Sequence, residues 1–465
     1  MKWIARADTW VAALPEQSYV VRRFLREKDT TETPSIMGTT CRVVLAWARS
    51  LFARLRLERV FASSIFANPV FWCILTVTLA PFLPTMIVLG LALVGYGSFA
   101  IALLCKKEMT AGRGTDVKYL YFYALAYALA TALSIGRGGS LSISALIVIF
   151  TLFPIVILYA IETRNAFRAL VGLMVFSGAM VALVGLYQYF IIRSPGSDAW
   201  VDGNMFNIAV RAYSTFQNPN ILGAYLLLMI PFAGGALLAV RERALRLMIL
   251  GATLLMGVAL ILTFSRGAYL GALVAVGLFL ILLDRRLIFL GIFGLIVAAV
   301  LMPDAILMRF LSIGDMGDTS TTYRVSIWLG TLDMVRDYWL VGIGPGLDTW
   351  RLVYPLYAFA ATIAHHSHNL FLQILVETGV VGMVLFLCIL YHFYKTAFIS
   401  LSSFGGETRI FAIASISAMT GFLAMGVGDY ALYNYRLRLL FWVVLGLGLL
   451  NRKLADTLAD RKGSA

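Results

Sequence analysis

Three of the chain's four histidines fall within four residues, in Ala364-His365-His366-Ser367-His368-Asn369, where a polar stretch gives way to an apolar one. Imidazole exchanges protons near neutral pH, so His368 suits a general base or acid, with His365 and His366 beside it. Clustering also invites a metal, but no carboxylate or thiolate stands nearby in sequence, and no metal is expected. Three earlier segments each carry an arginine. Arg211 precedes Asn218-Pro219-Asn220, Arg266 sits in Leu262-Thr263-Phe264-Ser265-Arg266-Gly267-Ala268, and Arg324 follows Tyr323. A guanidinium holds phosphate or carboxylate oxygens with two parallel donors. The chemistry these types support is an anion gripped by arginine while an imidazole moves a proton. Asn218 or Asn220 can cap a helix whose Pro219 has no N–H to waste, and a helix start offers free amides to an anion. Ordinary capping accounts for the asparagines equally well. Arg266, at the edge of apolar runs, either faces a water-filled cavity or snorkels to headgroups.

The elements that must position these residues are apolar. Of 465 residues 60% are hydrophobic and 13% charged, and mean hydropathy is +0.86, which places the chain in the membrane class. Runs this long must be helices, since lipid offers the backbone no partners and the alternation of a β-barrel is absent. A crossing needs about 20 apolar residues. That rule predicts an all-α protein of about twelve transmembrane helices, near 66–84, 86–104, 117–135, 141–161, 167–192, 220–240, 246–264, 267–283, 287–302, 369–394, 410–428 and 438–451. Pro81-Phe82-Leu83-Pro84 must turn the chain between the first two, because proline breaks a helix. Cys41, Cys73, Cys105 and Cys388 have no metal-type spacing, and no disulfide is expected.

Lys/Arg bias in short loops sets the orientation. Lys106, Lys107, Arg113 and Lys118; Arg164 and Arg168; Arg241, Arg243 and Arg246; Arg285 and Arg286; Lys395 and Arg409; and Arg452 and Lys453 share one side with both tails. That side reads as cytoplasmic. The net charge of +14 therefore sorts by membrane side and requires no nucleic acid. The ten remaining cations are all arginine: Arg137, Arg193, Arg211, Arg266, Arg309, Arg324, Arg336, Arg351, Arg436 and Arg438. They suit a phosphate ligand, although pairing with the nine aspartates of that side explains several of them as well. Residues 1–65 read as a cytoplasmic basic tail without a signal peptide. Its stretch Val43 to Arg56 alternates apolar and basic residues at helical spacing, as an interfacial helix on an anionic leaflet would. A solvated tail is the bland alternative.

The division expected is a tail 1–65, nine spans over 66–301, an extracytoplasmic loop 302–368, three spans over 369–451 and a cytoplasmic tail 452–465. The loop has its own organisation. Asp318 and the residues through Thr322 start a helix, and Tyr323 to Arg336 continue it, with Ile327, Trp328 or Leu329, Leu332 and Val335 as the apolar face. Gly342-Ile343-Gly344-Pro345-Gly346 ends it as a turn. The spacing is no nucleotide fingerprint.

In order and in topology these segments resemble the O-antigen ligase and O-antigen polymerase superfamily of bacterial envelope glycan enzymes. The resemblance rests on Arg211 with Asn218-Pro219-Asn220, on Ser265-Arg266-Gly267, on Tyr323-Arg324 with Ile327-Trp328, on the glycine turn, and on His368-Asn369 followed by Gln373 and Glu377-Thr378-Gly379. It covers roughly residues 70 to 450 and leaves the tail out. It implies a bacterial inner-membrane glycosyltransferase, cofactor-free and metal-independent. A glycan on undecaprenyl diphosphate would pass to a hydroxyl of a glycan, lipid or wall polymer, with membrane lipid around the protein. Arg211, Arg266 and Arg324 would hold the departing diphosphate and His368 would take the hydroxyl proton; Tyr323, Asp348, Asn369, Asn218 and Asn220 would assist. Ligase and polymerase share this chemistry.

Two other readings stand beside it. Part of the superfamily is labelled as bicarbonate transporters, and the long tail is similar to theirs; transport would call for charged or broken spans at mid-membrane and an internal repeat, and the sequence has no repeat. A non-catalytic scaffold would expose a large apolar or charged surface without a deep cavity.

Overall fold

The computed structural model describes residues 36–57, 61, 64–105, 117–194, 210–301, 303–311 and 319–463 of the 465. Met302, Asp318, the loop cations Lys106, Lys107 and Arg113, and tail residues 1–35 lie outside the described residues. No strand occurs among those described. In chain order the helices are α1 (Ile36–Arg54), α2 (Pro69–Leu79), α3 (Thr85–Cys105), α4 (Lys118–Ala132), α5 (Arg137–Ala160), α6 (Arg164–Tyr187), α7 (Pro219–Ala239), α8 (Arg243–Ile261), α9 (Arg266–Leu283), α10 (Leu287–Leu301), α11 (Asp304–Leu311), α12 (Thr319–Asp337), α13 (Leu347–Val353), α14 (Leu370–Ser403), α15 (Gly406–Gly426) and α16 (Tyr435–Gly463).

Each predicted span overlaps a helix, and the protein is an all-α multi-pass membrane protein. Eight of the described helices, α3, α5 to α9, α14 and α15, are long and apolar enough to cross a bilayer. The other four expected spans are shorter or more charged. At 1.5 Å per residue, α2 with 11 residues and α4 and α10 with 15 each fall short of a full crossing. The apolar run of α16 is bracketed by Arg436, Arg438, Arg452 and Lys453. That run is buried on every side from Leu437 to Ala455, so α16 is a core helix packed against α5, α14 and α15 rather than a lipid-facing one.

Two local expectations need correction. The span predicted to stop at 394 continues as α14 to Ser403, because Lys395 does not break a helix and no breaker arrives before Phe404-Gly405. The buried face of α12 is Ile327, Gly330, Thr331 and Met334, whereas Leu329 and Leu332 are exposed. Gly330 decides this: a Cβ there would lie 2.5 Å from the Tyr357 carbonyl, so the helix can approach the following turn only along that face.

The loop is ordered by backbone bonds to the bundle. The Ile343 and Gly344 amides donate to the Val376 and Glu377 carbonyls, and the Val380 amide to that of Trp339. The latter contacts meet α14 at Gly379, where φ is +64° and a Cβ would lie 2.2 Å from Leu340 backbone. Ser134, Ser140 and Thr349 form a buried hydroxyl cluster, and Ser140 donates to the Pro345 carbonyl at 2.7 Å. Of the amides that the glycine turn might have offered to a phosphate, those of Ile343 and Gly344 are spent on α14 and that of Gly342 on the Tyr338 carbonyl.

Candidate functional site

The starts of α7, α9 and α14 and the α15–α16 connection lie at one end of the bundle, beneath α12. There α7, α14 and that connection, with α5 and α13, enclose a cavity of about 640 Å³ whose lining includes Asn218, Asn220, Tyr323, His365, His366 and His368. A larger hollow of about 950 Å³, around Arg168, Arg241 and Glu407, lies toward the other ends of α7 and α15, away from every candidate site residue.

His368 is held by its neighbours. Asn369 caps α14, its Oδ1 accepting from the Phe371 and Leu372 amides at 2.9 and 3.0 Å, while its Nδ2 donates to the Val427 carbonyl. The Ser367 amide donates to Gln373 Oε1 at 2.8 Å. Between these fixed points His368 takes a left-handed φ of +49°, uncommon without glycine and typical of functional positions. Its Nδ1 lies 3.4 Å from Asp429 Oδ1, close enough for strong electrostatic coupling but not aligned as a hydrogen bond. The His366 ring packs on it at 4.1 Å between centroids and stacks on Tyr433 at 4.9 Å. Tyr323 meets His368 edge-on and donates to the Ile363 carbonyl.

The electrostatics separate the two carboxyl and imidazole neighbours. Burial lowers the pKa of His366 to about 3, helped by the positive influence of His368, so this ring stays neutral near pH 7. Burial alone would raise Asp429, but His368, Arg324 and His366 outweigh it and hold the carboxyl well below the usual range. Arg324 thus acts on the site through Asp429. Below the histidines, Glu377 accepts from Tyr127 and Gln373, and buried Arg438 donates to the Leu432 carbonyl and the Tyr430 hydroxyl.

The arginines converge on one turn. Thr263 and Phe264 carbonyls accept from Arg211 Nε at 2.7 Å and Arg309 Nε at 3.4 Å, and Arg266 opens α9 two residues later behind its Ser265 cap. All three side chains are buried. Arg211 also donates to Asn220 Oδ1 at 3.2 Å, which joins this turn to the cavity wall. Asn218 is a helix cap, as ordinary capping would have it: its Oδ1 accepts the Asn220 and Ile221 amides, leaving Nδ2 to donate to Tyr433. Asp348 is placed elsewhere, against Gly139.

Residues 251–387 match the family model described as O-Antigen ligase. Over this segment, under a third of the chain, the protein is similar to the O-antigen ligase family. No curated protein matches it. The match runs from α8 into α14 and includes Arg266, Arg309, Arg324, the histidine cluster and Glu377. Arg211, Asn218, Asn220, Asp429 and Arg438 come from outside the matched segment, so the candidate site is completed by the flanking helices. Asp429, Arg309 and Glu377 were not singled out from sequence as site residues. For Asp429 the available signal was an aromatic-rich polar connection, Asp429-Tyr430 to Tyr435, between two apolar runs.

Proposed function

We propose that this protein, like the family its central segment matches, transfers a glycan from undecaprenyl diphosphate to a hydroxyl acceptor at the extracytoplasmic face of the bacterial cytoplasmic membrane. Both termini are then cytoplasmic, and residues 319–368 of the extracytoplasmic loop form a lid over the cavity. The acceptor oxygen attacks the anomeric carbon, the bond from that carbon to the diphosphate oxygen breaks, and the hydroxyl proton passes to His368. With Nδ1 turned toward Asp429, Nε2 is the nitrogen that receives it, and the Asp429 carboxylate stabilises the imidazolium that forms. Arg211, Arg266 and Arg324 hold the diphosphate as it departs, where fixed positive charge opposes the growing negative charge; Arg309, which bonds the same turn as Arg211, joins them. The observation that carries the reading is the His368–Asp429 pair at 3.4 Å on the wall of a cavity joined through Asn220 to an arginine cluster.

The role of arginine is tested by binding undecaprenyl diphosphate to purified protein in detergent. Arg211→Gln and Arg324→Gln are expected to weaken binding, with thermal unfolding as the control, which Arg211→Gln should lower because it also loses the Thr263 and Asn220 bonds; unaltered affinity in both would refute the grip. Uptake of labelled bicarbonate into vesicles holding this protein alone, above empty vesicles, would favour transport instead.

A further inference from the structure

Helix α1 is absorbed neither by the cavity nor by the family match. Its described side chains divide into two faces. Leu45, Ala48, Arg49 and Phe52 turn partly inward, and Arg49 Nε donates to the Leu103 carbonyl at 2.8 Å. The other face carries Val44, Trp47, Leu51 and Leu55, which are 59, 66, 43 and 60% exposed. Spacings of three and four residues align them in one stripe, and the Leu55 amide still bonds the Leu51 carbonyl, so the stripe runs past the last helical turn.

We infer that α1 is a membrane-surface anchor whose stripe Val44, Trp47, Leu51 and Leu55 lies among the acyl chains of an anionic leaflet. Depth is the first argument. Leu103 stands two residues before the end of α3, about 3 Å along the axis, and α3 is one of the helices able to cross the bilayer. The Arg49 bond therefore pins α1 across the end of a span, at the boundary between hydrocarbon and headgroups. The span it meets presents apolar side chains outward along its length, since Met86, Ile87 and Leu93 of α3 are 71, 51 and 49% exposed. Charge is the second argument. Between Ile36 and Leu57 there are four arginines and no acidic residue, and Arg54 and Arg56 at the end of the stripe are exposed. Tryptophan on the apolar side with arginine flanking it is the composition of an interfacial helix, and clustered arginine beside a span draws anionic headgroups.

The test uses the full chain in vesicles of phosphatidylcholine with phosphatidylglycerol. In a background with the native cysteines replaced, single nitroxide labels are placed by Val44→Cys, Ser50→Cys, Leu51→Cys and Leu55→Cys. Relaxation by oxygen, which partitions into lipid, is compared with relaxation by a water-soluble nickel chelate. At 44, 51 and 55 oxygen is expected to dominate and the chelate to be excluded, with the order reversed at Ser50. Chelate access at Leu51 equal to that at Ser50 would put the stripe in water. Exclusion of both reagents at 44, 51 and 55 would mean a protein partner or a second copy covers it. Either overturns the proposal. Omitting phosphatidylglycerol should shift the three labels toward the chelate; depth independent of the anionic lipid would overturn the headgroup contribution.

Discussion

Replacing Asp429 by asparagine removes a charge while keeping the shape and the oxygen that accepts the Tyr430 amide at 2.8 Å. The transition state of the proposed reaction places a positive imidazolium at His368, 3.4 Å from that oxygen. Two unit charges at this distance interact by about 5 kcal/mol at an effective dielectric near 20. The His368 side chain is 25% exposed and Asp429 8%, so solvent screens part of this, and about 2 to 3 kcal/mol is a fair share. At 1.36 kcal/mol per decade the expected loss in kcat is about 30- to 150-fold. The assay is glycan transfer by purified protein in proteoliposomes, with thermal unfolding as the control. Because the charge acts on the transition state, KM for the lipid-linked donor should move little. A variant with the wild-type kcat, or one that loses only donor affinity, would refute the pairing argument.

Three further outcomes follow from the same geometry. Burial depresses His366 from 6.5 to about 3, so between these pH values the unfolded chain binds a proton that the folded one does not; stability is constant above about pH 6.5 and falls as the medium is acidified toward 3. His366→Gln should therefore flatten the fall of Tm between pH 7 and about 4.5, and an unchanged slope would remove this group from the balance. Gly379→Ala meets both a φ of +64° and a backbone approach of 2.2 Å, and a cost of about 2 to 5 kcal/mol should appear as a lowered Tm or lost folded yield. Asn369→Ala, which removes the α14 cap, should cost about 1 kcal/mol and reduce kcat through displacement of His368. Asn369→Ser should restore both; failure of serine to restore kcat would mean that Asn369 acts beyond capping.

The helices were legible because hydrocarbon leaves the backbone few options, and the cap at Asn218 and the extent of α12 followed from local rules. What sequence did not reveal depends on packing between distant segments. The inward face of α12 is set by Gly330 meeting Tyr357, a contact between helix and turn that apolar periodicity does not encode. Asp429 stands about 60 residues after His368 in no motif, and only the crossing of α14, α15 and α16 brings the two together. Arg309 reaches Phe264 in the same way. The position of His368 where the chain re-enters the bundle was legible from its type and place, as was the grouping of Arg211 with Asn220, whereas Asp348 enters only as a helper that the family resemblance implies.

The most direct test of the account is transfer from a synthetic undecaprenyl-diphosphate glycan in proteoliposomes, comparing the wild type with His368→Gln. Glutamine cannot take the acceptor's proton, so transfer is expected to fall by about 10²- to 10⁴-fold while the variant still binds the donor and unfolds at the same temperature. Transfer by His368→Gln at the wild-type rate would contradict the central claim.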